Sequence, residues 1–397
     1  MRIALITRSM HGGGTERVAA QLSLLWTHAG HDIVLLTSQP ASASDYRHSS
    51  VVRETAVGME WTPESFLAAF ERNKFDVAVF NGSWNDRPFK PLVRECKRLG
   101  VKVVAILHHA FDNWAFSLSN VGDFDKEDII PSIDCLVCVD KMQALWWSRR
   151  HPCVVCMPNP CGVEEKALAS NGRKKRRNGI VWVGRADDWG KRVNLAIEVF
   201  DEVRKKIPDA EMTVVGALPK KWDKKHSGIE FTGYVPSATE YIRESTVQLV
   251  TTLWEVTVPQ VILEANAVGV PTVAFDLPVL RGERGVFLGK DIAEVSDIIV
   301  NVLDTPDKFS FSCQSPHSRN EDVEQCWSEL FETLLEDNHQ GCLKLRVEDY
   351  KTVEEYSKLL DEIQRAEAFL VNAQIPLLAK AKRWKARYDR LKRIFGL

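Results

Sequence analysis

The chain has 397 residues, 45% of them apolar and 27% charged, with a formal net charge of −2. This is an ordinary globular composition, long enough for two or three domains of ~150 residues each, and its near balance of charge argues against a general nucleic-acid binder. No apolar stretch reaches the ~18 residues that a membrane span needs, and the opening MRIALITR has too short an apolar core for a signal peptide, so a cytoplasmic location is expected.

Residues 2–8 read as a strand, followed by Met10-His11-Gly12-Gly13-Gly14-Thr15-Glu16-Arg17 and an apolar-periodic helix over 18–26. Glycines between a strand and a helix let the backbone come close to a ligand and expose helix N–H groups. The GxGxxG dinucleotide pattern is absent. Strands follow at 32–37, 76–80 and 101–107, with helices at 64–72 and 87–99. In open α/β sheets, ligands bind beyond the carboxyl ends of strands. Asn81, His108 and His109 sit at such ends.

Residues 111–130 are polar and aromatic, and contain Asp123-Phe124-Asp125. This D-x-D follows Ser119-Asn120-Val121-Gly122 rather than an apolar strand, so it reads as a solvated loop and not as a Mg²⁺ or Mn²⁺ site. Further strands are expected at 134–139 and 153–157, with a helix at 141–147 between them. Nine cysteines, an odd number spread over a long chain, argue against a disulfide scaffold. Cys135/Cys138 and Cys153/Cys156 have zinc-ribbon spacing, but Leu136-Val137 and Val154-Val155 between them read as strand interior. There positions i and i+3 face opposite sides, so these are expected to be reduced core cysteines, and no metal site is expected.

The first domain is placed at 1–162. A basic linker over 163–178 contains Arg173-Lys174-Lys175-Arg176-Arg177. A fresh α/β pattern over 179–335 begins with a strand at 180–183. After it come Gly184-Arg185, then, past five intervening residues, Lys191-Arg192, then a helix at 193–205. An Arg fork and a Lys point charge near a helix start suit a diphosphate. Strands are expected at 210–216 and 229–232, the latter leading to Gly233-Tyr234-Val235 and a helix at 237–244. A β-loop-α-β unit then spans 247–276, with Glu255 in its loop and Glu264 inside a helix over 260–268. Glu264 is flanked by Ile262, Leu263 and Ala265. A carboxylate there needs a partner, either a protein donor or a ligand hydroxyl. Helices are expected at 291–304 and 320–335.

A helical extension over 336–397 ends in a helix starting near Pro376. Its Leu377, Ala381, Trp384, Tyr388, Leu391 and Phe395 form one stripe, and its other faces carry eight Lys or Arg against Asp389. Such a helix suits an anionic membrane surface; packing on the protein or on a partner is the other reading.

The segment Glu-loop-Pro-x-V-I-L-E-A-x-A-x-G-V-P-T-V-A, taken with the GG-x-E-R-V loop and the Gly184-Arg185…Lys191 pattern in this order, resembles glycosyltransferase family 4. The resemblance spans roughly residues 1–335. It implies the GT-B fold: an α/β protein with two Rossmann-like parallel-sheet domains facing across a cleft, and a late helix crossing back onto the first. It implies a metal-independent, retaining transferase that takes a sugar from a nucleotide-diphosphate sugar, uses no cofactor, and delivers to a lipid-linked or growing surface saccharide. Arg185 and Lys191 would clamp the diphosphate, and Gly13, Gly14 and Gly184 would bring backbone to it. Glu264 would hold the donor ribose, and Glu255 the hexose. Tyr234 and Val235 would lie near the base. His109, with His108 as the alternative, would lie by the transferred sugar. The family spaces its two glutamates eight apart, whereas Glu255 and Glu264 are nine apart, so either the loop has one extra residue or Val256 fills the first position. The segment Arg281-Gly282-Glu283-Arg284-Gly285 replaces a glycine-rich stretch of the family. These departures keep open a non-catalytic scaffold that binds a nucleotide sugar or a partner enzyme. A nucleotide-sugar epimerase of similar architecture is a further reading. The resulting placement is cytoplasmic, with a peripheral seat on the inner membrane face offered by 376–397, and no nucleic-acid partner.

Overall fold

The computed structural model describes residues 1–7, 10, 13–37, 53–56, 68–70, 72–82, 89–108, 130–148, 151–163, 178–186, 190–218, 226–235, 237–252, 255, 257–311 and 316–336. Two parallel sheets carry the fold. The first contains β1 (Arg2–Ile6), β2 (Asp32–Thr37), β3 (Arg53–Ala56), β4 (Val77–Asn81), β5 (Lys102–Leu107), β6 (Cys135–Cys138) and β7 (Val154–Cys156), in the order β3-β2-β1-β4-β5-β6-β7. The second contains β8 (Gly179–Val183), β9 (Glu211–Val215), β10 (Ile229–Gly233), β11 (Val247–Val250), β12 (Thr272–Phe275) and β13 (Val286–Gly289), in the order β10-β9-β8-β11-β12-β13. Each sheet starts in its middle, grows outward one way, then returns and grows the other way. This leaves a topological switch point between β1 and β4, and another between β8 and β11.

The helices are α1 (Gly14–His28), α2 (Phe89–Arg98), α3 (Lys141–Ser148), α4 (Val193–Lys206), α5 (Thr239–Glu244), α6 (Gln260–Ala267), α7 (Ile292–Asp304) and α8 (Pro316–Leu335). Strands covered on both faces must be apolar at consecutive positions rather than alternate ones. In β1, Ile3 and Leu5 enter one core layer while Ala4 and Ile6 enter the other. In β8, Ile180 and Trp182 face one layer and Val181 the opposite one.

The same alternation places the cysteines. Cys135 and Cys153 join one core layer, and Cys138 and Cys156 lie in or against the other. The two CxxC pairs are therefore divided by the sheet, and burial pushes the Cys138 thiol well above its ordinary range.

α8 follows the second sheet in sequence but packs on the first. Val323, Trp327, Leu330, Phe331 and Leu334 share a core with Val18, Leu22 and Trp26 of α1. The Trp26 ring meets Trp327 edge-on at 4.8 Å and Phe331 at 5.3 Å. Large side chains of this kind contribute ~1.5–3 kcal/mol each on full burial, so this seam ties the end of the second lobe to the first.

Two strands are absent from the sequence reading. β3, RETA, has no apolar pattern and sits at a sheet edge, while β13, VFLG, directly follows the polar Arg281–Arg284 stretch. Of the helix expected over 64–72, residues 68–70 and 72 are described, and they are helical.

Candidate functional site

A cavity of about 330 Å³ lies where the carboxyl ends of the two sheets meet, within the ~300–1,000 Å³ of small-molecule sites. The first domain lines it with Gly13, Gly14, Thr15 and Arg17 after β1, His108 after β5, Val139 after β6 and Asn159 after β7. The second lines it with Gly184 and Arg185 after β8, Gly216 after β9, Tyr234 and Val235 after β10, and Glu255 and residues 257–261 after β11. Gly13, Gly14, Gly184, Arg185, Lys191, Tyr234, Val235 and Glu255, all singled out in the sequence, thus meet at one cavity.

The second-domain wall is built backbone on backbone. The Gly184 amide donates to the Val215 carbonyl at 3.0 Å, and the Gly216 amide to the Gly233 carbonyl at 3.0 Å. Gly216 has φ +139°, and a Cβ there would stand 1.8 Å from the Gly184 carbonyl oxygen. Only glycine allows the two turns to touch. Gly216 was not among the sequence candidates, although a glycine closing a strand is the signal that marks it.

Lys191 is positioned by the residue that follows β11. The Thr251 hydroxyl lies 2.8 Å from the Lys191 carbonyl, and the Trp182 indole N–H donates to that hydroxyl at 2.9 Å. The Lys191 ammonium pairs with the Glu255 carboxylate at 2.5 Å. Arg185 lies exposed on the same cavity. Two cations beside glycine turns form a surface suited to a phosphate chain. Tyr234, 44% exposed, gives the cavity an aromatic face.

Glu264 is the exception. Its exposure is 0%, it does not line the cavity, and its carboxylate pairs with the Arg17 guanidinium of the first domain. Of the two partners that the sequence left open, this structure supplies the protein donor. The resemblance implies a carboxylate presented to donor ribose; here Glu264 is fully buried against Arg17 beside the cavity-lining residues Gln260 and Val261. Burial pushes its pKa up, and Arg17 and the Thr239 hydroxyl pull it back. Arg17 also donates to the Gly162 carbonyl at 3.2 Å. A Cβ on Gly162 would lie 2.5 Å from Arg17 Nε, so glycine makes room for the guanidinium. Gln260 completes this seam, donating to the Pro160 carbonyl at 2.8 Å and accepting from the Gly162 amide at 3.3 Å. The chain crossing between lobes is thereby held by α1 on one side and α6 on the other.

On the first-domain side, His108 Nε2 lies 2.8 Å from Asn81 Oδ1, and the Asn81 amide donates to the Thr15 carbonyl at 2.9 Å. His109, Val256, Asp123, Asp125, the run 173–177 and the segment 337–397, including 376–397, lie outside the described residues. Among the described residues, no three His, Cys, Asp or Glu side chains converge as a metal site, and no helix is long and apolar enough to cross a membrane.

Residues 177–305 match the family model of glycosyl transferases group 1. No curated protein sequence matches the chain. Solved structures share its fold at low identity. The pneumococcal O-GlcNAc transferase GtfA in complex with UDP and GlcNAc superposes with a TM-score of 0.64 at 9% identity, over 84% of this chain and 99% of that one. Anabaena Alr3699/HepE in complex with UDP and glucose gives 0.61 at 11% identity, over 83% and 100%. An alpha-glucosyltransferase in complex with UDP and a mismatched 13-mer DNA gives 0.57 at 14% identity, over 84% and 99%. The chain therefore has the two-domain GT-B fold of these glycosyltransferases. Because a protein of this fold is solved with DNA, the fold itself does not carry the exclusion of nucleic acid drawn from net charge.

Proposed function

We propose that the protein is a retaining glycosyltransferase of family 4 that takes a sugar from a nucleoside-diphosphate sugar and needs no metal. One observation carries this reading: Arg185 and Lys191 line the same cavity as the Gly184 and Gly216 turns and, from the opposite domain, Gly13, Gly14 and His108. Fixed positive groups aimed at a leaving diphosphate stabilise the charge that develops as the glycosidic bond breaks. Attack from the same face lets the leaving phosphate take the acceptor's proton, so no protein base is required. Glu255 pairs with Lys191. A diphosphate competes with this carboxylate for the ammonium, and Glu255 lies on the same cavity for hydroxyls of the sugar. UDP-sugars are the first donors to try, because the similar structures hold UDP. The acceptor is a lipid-linked or growing surface saccharide, approached at the cytoplasmic membrane face through 376–397.

The test is hydrolysis and transfer with a panel of nucleotide sugars. Arg185→Ala should lower kcat by ~10²-fold or more, the scale of one preorganised charge-stabilising group. An Arg185→Ala protein as active as wild type would remove the clamp from the reading. A second reading, donor binding without turnover, draws on the sealed position of Glu264. UDP-sugar binding with no product on any saccharide or lipid extract would favour it.

A further inference from the structure

Asn81 is the last residue of β4, only 2% exposed, and its side chain reaches the first turn of α1 and the end of β5 at once. Its Nδ2 donates to the Thr15 carbonyl at 2.9 Å, and its Oδ1 faces His108 Nε2 at 2.8 Å. A carbonyl only accepts, so the Thr15 contact fixes which end of the amide is nitrogen. The oxygen that remains also only accepts, so Nε2 of His108 must carry the hydrogen. In the neutral ring this leaves the lone pair on Nδ1. The next residue, Gly82, has φ +75°, and a Cβ there would contact both Thr15 Cγ2 at 3.5 Å and His108 Cδ2 at 3.6 Å. The turn that aims the amide thus uses a conformation open to glycine.

We propose that Asn81 is a positioning residue of the cavity: one buried amide clamps the N-terminal turn of α1 to the His108 ring, so both are presented to the ligand as a single unit. The proposal rests on the reading of the cavity as a nucleotide-sugar site. A carboxylate at position 81 keeps the acceptor for Nε2–H but cannot donate to Thr15, whereas alanine at this position releases both contacts.

Two measurements on the full chain test it. The first is the His108 imidazole pKa by NMR, assigned with His108→Gln. Asn81→Asp should raise it by about a unit or more, because an opposite charge in contact favours the imidazolium; an unchanged value overturns the clamp. The second is a kinetic cycle. Asn81→Ala, or the milder Asn81→Ser if alanine fails to fold, should lower kcat by ~10²-fold through misplacement and leave the donor KM within ~3-fold. In the His108→Ala background, the same change should cost at least ~10-fold less than it does alone, because residues in contact couple. Equal costs in both backgrounds, or a change in KM alone, overturn the role. If wild type transfers no sugar, the functional reading falls, while the NMR shift still decides the clamp.

Discussion

Replacing Arg17 by Met removes the cation that faces Glu264 while keeping much of the side-chain volume. Glu264 has no exposure, so removing Arg17 leaves a buried carboxylate without its cation. Breaking a buried pair from one side costs ~3–5 kcal/mol. A second route to the magnitude sets a ceiling. The stranded carboxylate can escape by taking a proton, and from an ordinary glutamate pKa of about 4.3 this costs ~1.36 kcal/mol per unit, or ~3.7 kcal/mol at pH 7. Burial already raises the pKa of Glu264 in the native protein, and Arg17 holds it down. In the variant the native pKa rises further. The native state then binds more protons than the unfolded state above about pH 4.3, and stability falls as pH rises through that window up to the native pKa. Because wild type already carries part of this cost, the deficit relative to wild type should lie between ~1 kcal/mol and that ~3.7 kcal/mol ceiling at pH 7 and be smaller near pH 5. Equilibrium urea unfolding at the two pH values measures this, and Arg17→Met/Glu264→Gln should regain most of the loss at pH 7. A deficit below ~1 kcal/mol at pH 7, or one of equal size at pH 5, would refute the claim that a buried ion pair joins the lobes.

Gly216→Ala should destabilise the second lobe by ~1–3 kcal/mol and weaken UDP binding, since the added Cβ collides with the Gly184 carbonyl; thermal melting with and without UDP checks both effects. Trp327→Ala should cost ~3–5 kcal/mol, and the loss should appear as early unfolding of the first lobe, whose Trp26 it contacts. Hydrogen exchange of α1 reads this directly, and unchanged α1 protection would count against the seam. Deletion after Ala373 should release the protein from anionic vesicles, with each basic residue lost removing up to ~1 kcal/mol of attraction; sedimentation of the deleted chain together with the vesicles would argue against a membrane role for 376–397.

What can be read without a fold is what acts over a few residues. Continuous apolar runs announced the central strands, and glycines after 2–8 and 180–183 announced turns open to a ligand. The Gly184-Arg185…Lys191 pattern lies within one βα connection, so its cations reach the cavity wherever the rest of the chain goes. β3 escaped notice because an edge strand needs only backbone hydrogen bonds, and RETA carries no apolar signature. The partners of individual polar groups depended on distant chain. Arg17 meets a carbonyl 145 residues away and a carboxylate in the other lobe, and Asn81 joins Thr15, 66 residues distant, to His108, 27 residues distant. Periodicity and turn chemistry report burial and direction locally. Which donor satisfies a buried carboxylate is decided only when two sheets close on each other, because desolvation makes every enclosed polar group find whatever partner the packing brings near. That is why Glu264 was legible as a carboxylate needing a partner, and why Arg17 became that partner only in three dimensions.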